Sequence, residues 1–223
     1  MNLDLNRKSW MFLLVDASSS MEEIKKATVD ALQSFIAAHI GDPNTRLTMV
    51  QFTTGRESEL AMKVMFDTEQ RPSGLVKRTT VMAPTTLHYQ PQGSTPLLAA
   101  TMSAIDRMEG WIRPQDRALL IIATDGEENA SKGVTLAEVR DRINFLRRGG
   151  NWTFAFLGAD LDAWRTSSDM GVGALNALSW SPTDAGVQAA FAITSERAAR
   201  WRKDDGSKPP ERFYPLQLPA PKS

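Results

Sequence analysis

The chain has 223 residues, and its 26 Lys+Arg balance 26 Asp+Glu, so the formal net charge is zero. Hydrophobic residues at 42% and charged residues at 23% describe an ordinary soluble globular chain, while neutrality argues against a bulk-basic nucleic-acid binder and an acidic solvating tail. With no cysteine and only two histidines, His39 and His88, the sequence excludes disulfide scaffolds, thiolate zinc sites, iron–sulfur clusters, cysteine nucleophiles and multi-histidine metal sites.

The first apolar run, Trp10–Val15, reads as a short buried strand. It is too short to span a membrane, and no small-residue cleavage site follows an apolar segment, so a cytoplasmic location is expected. Ile24, Ala27, Ala31, Leu32, Phe35, Ile36 and Ile40 then recur at helical spacing, and Gly41-Asp42-Pro43-Asn44 ends that helix. Leu47–Phe52 and Leu60–Phe66 read as two further strands. Asp67–Gln92 reads as loop, with one short helix expected near Leu75. Thr95-Pro96 opens the next helix, with Pro at the first helical position, where a missing N–H costs nothing. Ala118–Ala123 is a continuous apolar strand ending at Thr124-Asp125-Gly126.

Thr135-Leu136-Ala137-Glu138 is a capping box for a helix that turns Val139, Ile143 and Leu146 inward and stops at Gly149-Gly150. Trp152–Leu157 is a strand, Leu161–Met170 a short helix and Ala177–Trp180 a last short strand. Ser181-Pro182 is expected to cap a final helix carrying Val187, Phe191, Thr194, Ala198 and Trp201 on one side. Strands that are apolar throughout, alternating with helices, imply an α/β fold with a mostly parallel sheet covered on both faces. Five of the 12 prolines lie between Lys203 and Ser223. The chain thus divides into one domain, 1–202, and a proline-rich tail, 203–223. The tail reads either as a disordered end or, through Phe213, Tyr214, Leu216 and Leu218, as an extended segment that docks.

Three loops carry candidate chemistry: Asp16-x-Ser18-x-Ser20, Gly93-Ser94-Thr95-Pro96 and Thr124-Asp125-Gly126. The first and third follow strand ends, and open parallel sheets bind ligands outside the carboxyl ends of their strands. Two carboxylates and three hydroxyls form a hard oxygen set suited to Mg2+, Mn2+ or Ca2+. Such an ion keeps coordination positions open, and a carboxylate from another molecule would complete them.

These residues resemble the von Willebrand factor A-type (vWA) family with its metal-ion-dependent adhesion site. The family pattern is Asp-x-Ser-x-Ser, a Thr in a second loop and an Asp-Gly in a third. Here it falls on Asp16, Ser18, Ser20, Thr95 and Asp125, within Phe12-Leu13-Leu14-Val15, Met21, Thr95-Pro96-Leu97 and Thr124-Asp125-Gly126. The resemblance covers about residues 8 to 202. It implies a doubly wound, Rossmann-like sheet with one antiparallel edge strand, for which Leu60–Phe66 is the candidate. It implies direct metal contact by Ser18 and Ser20, contact by Thr95 in the ligand-bound form, and Asp16 and Asp125 acting through water or in exchange with direct contact. It further implies cation-dependent protein binding by an adaptor of the stand-alone bacterial or phage type. The partner would supply a Glu or Asp and would be an AAA+ ATPase, a kinase or another assembly component, with no role for a membrane or nucleic acid.

Plainer readings stand beside these. Asp16, Ser18 and Ser20 are also what an Asx or Ser turn capping a helix would use, and Thr95 is a fitting N-cap. Glu127, Glu128 and Asn129 read as a solvated loop or as a rim that repels wrong acidic partners. His88 and Tyr89 read as part of a contact face, with a satisfied surface histidine as the plainer reading of His88, and His39 reads as structural. Arg140, Arg142, Arg147 and Arg148 read as an exposed charged face, with a nucleic-acid patch as the weaker reading. A Mg2+-dependent phosphotransferase with an Asp nucleophile would suit the crevice, but its general acid two residues on is replaced by Ser18. An RNA–protein scaffold is a third reading, opposed by zero net charge. Serine hydrolysis lacks a Gly-x-Ser-x-Gly elbow, and the first turn has no glycine for nucleotide phosphates.

Overall fold

The computed structural model describes residues 7–68, 86–159, 162–204 and 212–214. The short helix expected near Leu75 lies outside them, as do Leu216 and Leu218. Six strands form one sheet in the order β3-β2-β1-β4-β5-β6. They are β1 (Ser9–Asp16), β2 (Thr45–Thr54), β3 (Leu60–Asp67), β4 (Arg117–Thr124), β5 (Trp152–Ala159) and β6 (Ala177–Trp180). All neighbours pair in parallel except β2 and β3, so Leu60–Asp67 is the antiparallel edge strand. Its register shifts at Met49/Val50, a bulge of the kind that twists an edge away from further pairing.

The two central strands β1 and β4 are apolar through their middles, Trp10–Val15 and Ala118–Ala123, because both faces are covered. Met11, Leu13 and Val15 of β1 join one core, beneath α1 (Lys25–His39) and α5 (Asp184–Lys203). Trp10, Phe12 and Leu14 join the other, beneath α2 (Leu97–Glu109) and α3 (Leu136–Arg148). A shorter helix, α4 (Asp162–Asp169), leads into the turn before β6. Among the described residues no helix is long and apolar enough to cross a membrane.

Local signals account for most element ends. The Thr135–Glu138 capping box forms as expected: Thr135 Oγ1 accepts from Glu138 N, and Glu138 accepts from Thr135 N at 2.7 Å. Two starts differ from expectation. Pro96 sits one residue before α2, as its N-cap, with ψ +61°, outside the helical range. The cap of α5 is Thr183, whose hydroxyl accepts from Gly186 N at 3.1 Å, and not Ser181-Pro182. Gly186 lies so close to Ser181 that a Cβ there would meet its carbonyl oxygen at 2.1 Å. The chain therefore turns tightly through Ser181–Thr183 before the helix begins.

The C-terminal residues 212–214 return to the body. Phe213 and Tyr214 are buried in the core beneath α5. Phe213 N donates to Asn176 Oδ1 at 2.8 Å, Tyr214 N to Leu175 O at 3.3 Å, and the Tyr214 hydroxyl lies 3.1 Å from Thr194 Oγ1 on α5. At the amino end of β4, Arg117 donates to Trp201 O and Asp204 O at 2.8 Å each and stacks on the Trp201 ring. It satisfies the carbonyls that end α5.

Candidate metal centre

The sheet reverses its winding between β1 and β4: β1 connects outward to β2, whereas β3 returns across the sheet through α2 to β4. The crevice outside the carboxyl ends of these two strands is where such folds receive ligands. Asp16 ends β1 and Asp125 follows β4.

Asp16 is fully buried. Its Oδ1 accepts from Ser18 N at 2.7 Å and its Oδ2 from Thr124 Oγ1 at 2.6 Å. Each oxygen keeps a further lone pair, so the carboxylate is oriented without being used up. Burial pushes its pKa up to about 6, against the lowering effect of the Thr124 and Ser18 hydrogen bonds, and Asp125 adds a smaller push upward. Asp125 is half-buried, and burial raises its carboxyl as well, opposed by the Ser20 hydroxyl.

A continuous chain of oxygens joins the two loops. Ser18 Oγ lies 3.1 Å from Ser20 Oγ, and Ser20 Oγ donates to Asp125 Oδ1 at 2.8 Å. The Asx turn of the plainer reading is present in the Asp16–Ser18 bond. The cap is not: neither Ser18, before the 3-10 turn Ser19–Glu22, nor Ile24, before α1, makes a side-chain cap. Thr95 is buried, and a methyl built on Gly126 would lie 3.3 Å from its Oγ1, which brings the Thr95 hydroxyl beside the Asp125 loop. It does not cap α2 either, since Pro96 occupies that position.

The five residues singled out in the sequence therefore lie around one crevice. Two carboxylates and three hydroxyls, with both carboxylates strained by burial, fit a hard divalent cation better than any softer ion. Among the described residues no cluster of three or more His, Asp or Glu is placed to hold a metal.

Several supporting residues were not legible as such. Tyr89 is buried, and its hydroxyl donates to Asp16 O; burial holds its phenol well above the ordinary range, with Asp16 the first of the nearby carboxylates to add to this. Residues 86–95 are clasped to the first loop by Gln92 N to Ala17 O at 2.7 Å and Ser19 N to Gly93 O at 3.1 Å. Gly93, at φ +69°, packs against Thr54, where a Cβ would meet Oγ1 at 2.5 Å, so only glycine passes there. Glu128 and Asn129 are more than a solvated loop: although Asn129 is exposed, their side chains accept from Leu98 N and Thr95 N at the start of α2. His88 is exposed. His39 is structural, packed on Phe35 with ring centroids 4.4 Å apart and with Nε2 3.1 Å from Ser195 Oγ.

The fold is shared with solved structures of low sequence identity. The vWF domain of the type V pilus tip protein of Porphyromonas gingivalis superimposes with a TM-score of 0.62 at 11% identity, over 90% of this chain and 98% of that one. Proximal thread matrix protein 1 of the mussel byssus gives a TM-score of 0.58 at 15% identity, over 85% of this chain. The match spans only 47%, about half, of the mussel protein's length. Manganese-loaded TRAP protein of Plasmodium vivax gives 0.54 at 18% identity, over 83% of this chain and 72% of that one. No curated protein matches in sequence. The family model described as von Willebrand factor type A domain matches residues 11–199, most of the chain, and the chain belongs to that family.

Proposed function

We propose that the chain is a divalent-cation-dependent protein-binding module, in which Asp16, Ser18, Ser20, Thr95 and Asp125 hold Mg2+ or Mn2+ and a partner's Glu or Asp completes the coordination. What carries the reading is the hydroxyl–carboxylate chain from Ser18 through Ser20 to Asp125, beside an oriented Asp16 at the sheet's reversal point. The family often mediates protein association, and one structural neighbour is a manganese-loaded protein. Binding rather than catalysis is favoured because Ser18 stands where a phosphotransferase of this layout would need its general acid. An adaptor role in the cytoplasm, beside an AAA+ ATPase, a kinase or another assembly component, is part of the same proposal and rests on the resemblance.

The test is calorimetric titration with Mg2+ and Mn2+ of the wild-type chain, Asp16→Ala and Ser20→Ala, followed by capture of partners in Mg2+ and in EDTA. Saturable binding in the wild type that both variants lose, with a partner captured only in Mg2+, supports the reading. Equal metal binding by all three folded proteins overturns it.

A further inference from the structure

The start of α2 poses a problem of competing demands. Helix starts leave N–H groups without intrahelical partners; Pro96, at the N-cap, has no side-chain acceptor to offer them, and the Thr95 hydroxyl beside it is a competing acceptor. A capping hydroxyl would be lost to a metal. In this chain the loop after β4 caps α2 from outside. Leu98 N donates to Glu128 Oε2 at 2.7 Å, and Ala99 N donates to Ser131 Oγ at 2.9 Å. Ser131 Oγ in turn donates to Glu128 Oε2 at 2.6 Å, while Glu128 Oε1 accepts from Ala130 N and Ser131 N at 2.8 and 2.6 Å. The carboxylate also suits the positive end of the helix dipole.

Three residues before Leu98, Thr95 is gripped by Asn129 on both sides of its backbone. Thr95 N donates to Asn129 Oδ1 at 2.9 Å, and Asn129 N donates to Thr95 O at 3.2 Å. Glu128 and Asn129 lie three and four residues after Asp125 on the same short loop. Its Gly126 is also the residue whose added methyl would meet Thr95 Oγ1.

We infer that Asn129 and Glu128 are positioning residues for the metal site: Glu128 takes over the capping of α2 and frees the Thr95 hydroxyl, and Asn129 fixes Thr95 to the Asp125 loop so that their oxygens keep one spacing. The inference rests on the metal-binding reading above and assigns a role to residues outside its five ligands. Outer residues that hold ligands in place are typically worth about 10- to 100-fold in metal affinity.

Mn2+ alone is the probe, titrated calorimetrically into the wild type, Asp16→Ala, Asn129→Ala, Asn129→Asp, Thr95→Val and the Thr95→Val/Asn129→Ala double variant. Asn129 is exposed, so its variants should fold. Asn129→Ala is expected to weaken Mn2+ binding by about tenfold or more, and Asn129→Asp, which keeps the Oδ1 acceptor, to restore it. In the Thr95→Val background the Asn129→Ala effect should vanish, because Asn129 acts through Thr95. Amide hydrogen exchange in metal-free protein should show faster exchange at Thr95 in Asn129→Ala while the Leu98 amide stays protected by Glu128. Wild-type Mn2+ affinity in Asn129→Ala beside lost binding in Asp16→Ala overturns the positioning role and spares the metal site. Wild-type affinity in both variants overturns the metal site and the positioning role with it. Full additivity of the Thr95 and Asn129 effects, or unchanged exchange at Thr95, also refutes the inference.

Discussion

Replacing Tyr214 by alanine tests whether the C-terminal segment is part of the fold. Tyr214 is 1% exposed and is among the largest fully buried side chains of the protein. Its ring meets Phe213 edge-on at 4.9 Å, its hydroxyl lies 3.1 Å from Thr194 Oγ1 on α5, and its N–H reaches Leu175 O in the turn before β6. Emptying so closed a site costs about 3–5 kcal/mol, the transfer energy of the ring plus the cavity it leaves. At roughly 2–4 °C per kcal/mol for a domain of this size, the melting temperature should fall by about 6–20 °C. Tyr214→Phe keeps the ring, and Thr194 Oγ1 still donates to Ala190 O at 2.7 Å, so no donor is stranded and the cost should stay near 1 kcal/mol. Urea unfolding followed by tryptophan fluorescence and by circular dichroism gives both values, and coincident transitions validate the two-state treatment. A Tyr214→Ala midpoint within about 0.5 kcal/mol of wild type is what a surface tail would give, and it would refute the docked segment.

Acid should destabilise the protein through His39. Burial first, then the nearby Arg202, lowers its pKa from 6.5 to about 4, so the unfolded chain takes up a proton that the folded chain refuses. Its stability contribution is complete above pH 6.5 and is lost as pH falls toward 4. The loss is about 2 kcal/mol between pH 7.5 and pH 5, read as the difference between wild type and His39→Leu in urea unfolding. Equal pH dependence in the two proteins would exclude it. Gly126→Ala should weaken Mn2+ binding by about tenfold with little change in melting temperature, because its methyl would crowd Thr95 Oγ1 at 3.3 Å. Wild-type affinity in that variant would mean that Thr95 does not need its present place.

Those residues whose roles are set by neighbours in sequence were readable before any coordinates. The apolar runs of β1, β4 and β5, the Thr135–Glu138 box and the mostly apolar edge strand β3 all report short-range physics: period, capping and burial. Residues whose roles depend on distant partners were not. Glu128 caps a helix that begins 31 residues earlier in the chain, at Leu97, and within its own loop it looks like any exposed carboxylate. Nothing beside Tyr89 in sequence shows that its hydroxyl reaches Asp16 O, 73 residues away. Phe213 and Tyr214 left two readings open for the same reason, since nothing beside them in sequence names Asn176, Leu175 or Thr194 as partners. The misplaced cap of α5 is a local error of another kind. Ser181 and Thr183 are both good caps, and the tight approach of Gly186 to Ser181 O selects the second.

Asp16 shows why the candidate site stands out physically as well as by pattern. Buried charges are ordinarily matched by an opposite charge, yet the donors on this carboxylate are a backbone N–H and a neutral hydroxyl. The fold does match buried charge elsewhere: fully buried Asp116 receives Arg113, the Trp10 ring N–H and Lys8 N, and its pKa is held at about 2 even though burial pulls the other way. Two buried carboxyls in one protein thus end on opposite sides of the ordinary value, about 2 at the closed end of the sheet and about 6 at the crevice. Asp116 needs nothing further. Asp16, with Asp125 also raised beside it, has no cationic donor among the described residues; under the metal-binding reading proposed above a divalent ion supplies that positive charge, and the hydroxyls of Ser18, Ser20 and Thr95 are neutral oxygens that would add coordination without adding charge. A buried carboxylate that costs the fold stability is the kind of departure from local consistency that function, rather than folding, accounts for.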